Sequence, residues 1–204
     1  MALKNPNIDD LDSVTEDLFK FIWNFKHGDN IIYNFTVLQA LYTAQINAKS
    51  GSILNKPLTI LLVSIIEGIL IDFLVRIDQA TTHLPANANR ATLDKLKQEI
   101  ESEKRPEKIS DELGERIYLR RKLYHFNEII GLLKKYELFG NKDDNIYHDL
   151  ENFGYLRNRV HIENYHRNFE DRENIVFTSE RLAALEDILG SLWEKMKNDY
   201  KRPW

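Results

Sequence analysis

The sequence predicts an all-α fold, a single-domain helical bundle of five to seven helices spanning residues 1–204. Three observations predict it. Apolar residues recur at three- and four-residue spacing through most of the chain, the period of a helix with one buried face. Glycine and proline are scarce, eight and five in 204 residues, which leaves few turn signals for a strand-rich fold. No stretch alternates apolar and polar residues strongly enough to predict a strand. With 43% hydrophobic residues the chain can bury one sizeable core, and no repeat, low-complexity tract or linker divides it.

The elements follow in order. Ser13-Val-Thr-Glu16 has the form of a capping box ahead of Leu18, Phe19, Phe21, Ile22, Trp23 and Phe25. His27-Gly28 is expected to close that helix, with Gly28 as its C-cap. A second helix is expected to open at Asp29 or Asn30, with Ile31, Phe35, Leu38, Tyr42 and Ile46 on one stripe, and to end at Gly51. Asn55 and Pro57 start a third, running to about Ile77. It is apolar nearly all round and is therefore expected at the centre. Residues 78–90 read as a loop, about 91–103 as a more polar helix, and Pro106 with Ser110 as a break. Leu119, Leu123, Phe126, Ile130 and Leu133 give an apolar face to a helix over 116–138. After a loop at 140–144, another helix is expected from about 145 to 165. Residues 168–173 read as a loop, and Thr178 caps the last helix, with Phe177 and Leu182 at hydrophobic-staple spacing.

Composition removes several function classes. The chain has no cysteine, which excludes disulfides, thiolate metal sites and Cys nucleophiles. The six histidines are scattered and form no HExxH or comparable ligand set, so neither a metal nor a cofactor is expected. There is no glycine-rich phosphate loop. A net charge of −4 argues against broad coating of nucleic acid while leaving room for a local basic site. The acidic N-terminus lacks an apolar core, so a signal peptide is not expected. Residues 57–74 are apolar over a length that raises the question of a membrane span. They carry Glu67 and Asp72, each costing about 2.5–3.5 kcal/mol at a bilayer centre. A buried core helix and a cytoplasmic, membrane-free protein are expected instead.

Residues 155–166 read Tyr-Leu-Arg-Asn-Arg-Val-His-Ile-Glu-Asn-Tyr-His. On a helix turning about 100° per residue, Arg157, Asn158 and His161 share one face. A fixed cation, an amide and an imidazole then converge. That set suits phosphate-ester chemistry: arginine grips a phosphate through two N–H groups, histidine moves a proton near neutral pH, and asparagine orients one or the other.

The run Leu156-Arg-Asn-Arg-Val-His-Ile162 resembles the signature of the HEPN superfamily, the higher eukaryotes and prokaryotes nucleotide-binding domains. The upstream Phe126-Asn-Glu-Ile-Ile-Gly-Leu-Leu-Lys-Lys and the downstream Phe177-Thr-Ser-Glu-Arg-Leu resemble uncharacterised prokaryotic members. The resemblance implies an all-α domain and a metal-independent RNase. It gives Arg157, Asn158 and His161 the catalytic roles and makes a homodimer the expected assembly. It also implies a toxin or antiphage effector, held off in some members by a cognate antitoxin or defence-system partner. The common family spacing leaves four to six residues between Arg and His, whereas Arg157 and His161 leave three. Arg159 and His166 leave six, but Val160 follows that arginine where a polar residue is expected. These two therefore stand as supporting candidates. A non-catalytic HEPN-like module that binds nucleotide or RNA, or scaffolds a complex, is the alternative.

Two further features bear on the site. Glu67 lies on the central apolar helix, where a buried carboxylate must be paired or protonated. It is either a structural salt-bridge partner or the group that holds Arg157 or His161 in position. Asp72 and Arg76, four apart, are expected to pair with each other. The basic run that includes Arg120, Arg121 and Lys122 is interleaved with Tyr118, Tyr124 and Phe126. It reads as a solvated helix face or as a surface that holds single-stranded RNA by charge and stacking, with Arg120, Arg121, Lys122 and Tyr124 as its contacts.

Overall fold

A computed structural model describes the backbone of residues 3–79, 89–111, 114–120, 124–158 and 173–202, and the side chains of 3–79, 89–107, 124–156 and 175–202. The fold is all-α. The described residues form α1 (Leu11–Phe19), α2 (Phe25–Asn47), a 3-10 turn (Gly51–Leu54), α3 (Asn55–Gln79) and α4 (Arg90–Ser102). A short antiparallel hairpin follows, β1 (Arg105–Asp111) and β2 (Gly114–Arg120). Then come α5 (Phe126–Lys135), α6 (Asn145–Asn158), the single turn α7 (Glu173–Val176) and α8 (Ser179–Asp199).

The central helix is α3, as its composition requires. It packs against α2, α4, α5, α6 and α8. Leu58, Leu62, Val63, Ile66, Ile69, Leu70 and Ile77 are fully enclosed, each contributing roughly 1.5–3 kcal/mol of apolar transfer. By length and composition this helix could cross a membrane, yet most of that window lies inside the bundle. Aromatic rings fill the space beside it. Trp193 on α8 meets Phe21 and Phe35 edge-on, with ring centres 5.0 and 5.5 Å apart.

Polar side chains fix where the helices start and end. The buried Asn55 amide donates to the Phe177 carbonyl at 3.0 Å and accepts from Gln45 at 2.8 Å, joining the start of α3 to the segment leading into α8 and to the end of α2. Lys104 pairs with Asp78 at 2.6 Å, joining the ends of α4 and α3. Asp72 and Arg76 do more than face each other. The Asp72 carboxylate accepts the backbone N–H groups of Trp23 (2.6 Å) and Asn24 (2.9 Å). Arg76 donates to the carbonyls of Phe21, Tyr200 and Lys201. Backbone groups at the α1–α2 corner and the end of the chain thus take up the hydrogen bonds of the expected ion pair.

Two helix boundaries and one stripe residue differ from expectation. Asp10, not Ser13, caps α1, accepting the Ser13 N–H at 3.1 Å. Gly28 does not end a helix: α2 begins at Phe25, with Asn24 as its cap. A Cβ on Gly28 would stand 3.2 Å from Ile22, so the glycine serves the tight approach of two elements. Ile46, placed on the buried stripe of α2, is 71% exposed near the helix end.

The largest correction concerns the helix expected over 116–138. Residues 114–120 are strand, and the helix begins only at Phe126. Arg116-Ile-Tyr-Leu-Arg120 alternates polar and apolar residues over too short a run to outweigh the helical spacing of Leu119, Leu123 and Phe126. What decides between the periods is a partner. β1 pairs along β2 from Arg105↔Arg120 to Asp111↔Gly114, and a strand preference set by its pairing partner is weakly marked in the residues of one segment. The break expected at Pro106 and Ser110 is accordingly a strand, with Pro106 near its start.

Candidate functional site

The candidate cluster begins at the C-terminal end of α6, and this helix is held in place along its length. Tyr147, fully buried, accepts the Phe139 N–H at 3.0 Å and lies 3.1 Å from the Gly140 carbonyl. This fixes α6 to the chain leaving α5. One helical turn before the cluster, Gly154 lets α6 approach the first turn of α5. A Cβ there would stand 2.7 Å from the Phe126 ring. Leu156 is buried and its neighbour Tyr155 is 62% exposed, so the helix end has one face in the bundle and one in solvent.

Arg157 and Asn158 are the last two residues of α6. His161 and the supporting Arg159 and His166 lie outside the described residues. Glu67 is half-buried near the middle of α3, and α3 packs directly on α6. The fold therefore brings the two helices that carry the candidate groups into contact. Among the described residues no three His, Asp or Glu side chains converge as a metal-holding set.

No family model, curated protein or solved structure matches this chain.

The candidate RNA contacts divide. Arg120 ends β2, and Arg121 and Lys122 lie outside the described residues. Tyr124 is half-buried against the core, and its hydroxyl donates to Glu103 at 2.6 Å. Burial, then the Glu103 carboxylate, pushes its hydroxyl pKa upward. Tyr124 thus joins the end of α4 to the start of α5 across the base of the hairpin. A second tie comes from Glu99, which accepts from Lys135 and Tyr136.

One half-buried acid has no signal in the sequence. Glu186 on α8 accepts the Tyr42 hydroxyl of α2, and burial raises its pKa above the ordinary carboxylate value against the lowering effect of that bond. Nothing in the surface-like spacing of α8 marks it, because the partner is 144 residues away. An acid whose pKa rises on folding favours the folded state most when protonated, and that advantage is lost as pH climbs through its folded pKa. Glu186→Gln keeps an acceptor for Tyr42 and removes the half-buried charge. Its melting temperature is expected to exceed that of the wild type at pH 7 and to converge with it near pH 4, as thermal melts across that range would read. A variant less stable than wild type at pH 7 would contradict this assignment.

Proposed function

We propose that the protein is a HEPN-like, metal-independent endoribonuclease whose site forms at the C-terminal end of α6, at the interface of a two-fold homodimer. The observation that carries the reading is Arg157-Asn158 ending a firmly packed helix of an all-α bundle, with His161 three residues on and α3, bearing Glu67, packed alongside. His161 takes the proton from a ribose 2′-hydroxyl. The 2′-oxygen then bonds to the adjacent phosphorus, the bond to the 5′-oxygen breaks, and that oxygen takes up a proton. Arg157 stabilises the charge gathering on the phosphorane, and Asn158 orients the phosphate or the imidazole. Glu67 holds the arginine or histidine in position, with Arg159 and His166 as supporting groups. A two-fold dimer suits this site, because one surface patch meets its own copy and exposed Tyr155 adjoins it. Growth arrest or phage defence in the cytoplasm, under control of a cognate partner, is the role this chemistry fits.

A non-catalytic RNA-binding or scaffold module is the second reading, favoured by the three-residue gap between Arg157 and His161. Incubating wild type and His161→Ala with RNA in EDTA separates the two. The catalytic reading predicts cleavage by wild type alone, with both proteins folded and dimeric. Dimers of both that leave RNA intact would establish the scaffold.

A further inference from the structure

Apart from Arg120 at the end of β2, the hairpin between α4 and α5 carries none of the groups assigned so far. Its base is firmly seated. Lys104 pairs with Asp78 of α3, and Tyr124 with Glu103. From that base extend two seven-residue strands. An isolated two-stranded sheet is only marginally stable in water, so its retention as an arm calls for a use.

The strand register sorts its residues. On one face Arg105 pairs with Arg120, Glu107 with Tyr118, and Ile109 with Arg116. A helix would have turned Tyr118 away from Arg116 and Arg120; the strand aligns Arg116, Tyr118 and Arg120 at alternate places and brings Arg105 opposite Arg120. Like charges directly opposite on one sheet face destabilise the pair. Two arginines in register at the base therefore favour an anion between them. Arg105 is exposed, Glu107 is half-buried opposite the tyrosine, and the remaining acid of this face, Asp111, pairs with Gly114 at the tip. The wider segment is also basic: residues 104–122 hold seven Lys or Arg against four Asp or Glu, in a chain of net charge −4. Arg116 and Arg120 are separated by roughly 13 Å along the strand, enough for a polyanion with repeated charges rather than a single small anion. An aromatic residue between cations is the pattern that holds unpaired bases by stacking while the charges hold the backbone.

We infer that this face of the β1–β2 hairpin is an arm that binds the phosphate backbone of single-stranded RNA, through Arg105, Arg116 and Arg120, with Tyr118 stacking on a base. The inference rests on the RNA-cleaving reading for its choice of polyanion and assigns that reading a substrate-holding surface away from the chemistry.

The test uses the full chain in the His161→Ala background, so that the probe stays intact. The probe is a fluorescein-labelled oligouridylate of about 15 nucleotides, near the upper site size for such surfaces. Fluorescence anisotropy is read as a function of salt. The triple variant Arg105→Gln/Arg116→Gln/Arg120→Gln is expected to weaken binding by about tenfold or more at low salt. It is also expected to flatten the slope of log affinity against log salt by about 2, given roughly 0.7 per phosphate contact. Tyr118→Leu is expected to weaken binding while Tyr118→Phe retains it. Thermal melts keep the comparison among folded proteins. Equal affinity and slope for the triple variant would overturn the arm, as would a parent protein that fails to bind the probe at low salt. Wild-type cleavage with an unaltered triple variant sinks the arm and spares the enzyme. Hairpin-dependent binding without cleavage by wild type does the reverse.

Discussion

Replacing Arg157 by Ala is expected to lower the rate of RNA cleavage by about 10²–10³-fold, the usual loss when one preorganised donor to a transition-state oxyanion is removed. Arg157→Lys should recover only part of it. A lysine keeps the charge but loses the planar fork that holds two phosphate oxygens at once. The effect belongs mainly in kcat, because the phosphorane carries more charge than the bound phosphodiester and an interaction that strengthens with that charge acts on the chemical step. A loss confined to KM would make Arg157 an RNA-binding residue instead. The position explains why the substitution should leave the fold intact. The turns of α6 before it are secured by Tyr147 and by the close contact at Gly154, while residue 157 stands next to the end of the helix.

Arg76→Ala is expected to be the most damaging single change to stability, costing about 3–5 kcal/mol, as removal of one member of a buried charged set commonly does. Its guanidinium is buried at the crossing of three segments and bonds the carbonyls of Phe21, Tyr200 and Lys201. Burial first, then the nearby Arg202, hold its pKa down to about 10 against the opposing pull of Asp72. Truncation opens a cavity, leaves those carbonyls without their donor and removes the cation beside the buried Asp72 carboxylate. Asp72→Ala should cost somewhat less, since two backbone N–H groups at the α1–α2 corner lose their acceptor. Urea unfolding checks both, with the midpoint falling and the slope unchanged. A loss below about 1 kcal/mol for Arg76→Ala would show that water replaces these bonds without cost.

What the sequence disclosed, and what it hid, follow from the range of the forces involved. The central helix was legible because seven fully enclosed aliphatic residues within it advertise burial on nearly every face. The stripe from Ile31 to Tyr42 and the Thr178 cap were legible for the same local reason. The hairpin was not, since its strands are defined by each other and the alternation in 116–120 was masked by leucines at helical spacing. The role of Gly28 was hidden too, because what it accommodates is the side chain of Ile22 across a corner. At the candidate site the sequence offered candidate residue types in one run, of which the described residues include Arg157 and Asn158. Sequence spacing predicted a helix there, α6 carries it through Asn158, and the fold supplied the packing of α3 on α6 that local spacing could not contain. Within the basic run, a structural bond that spacing could not show ties Tyr124 to Glu103, and Arg105, absent from the run, stands opposite Arg120.

The most direct test of the central claim is the chemistry of the ends that the wild-type protein leaves on RNA in the presence of EDTA. Attack by the 2′-oxygen, with His161 as base and Arg157 at the phosphorane, predicts a 2′,3′-cyclic phosphate on one fragment and a 5′-hydroxyl on the other. Fragments bearing a 3′-hydroxyl and a 5′-phosphate, or RNA left whole until a divalent cation is restored, would contradict it.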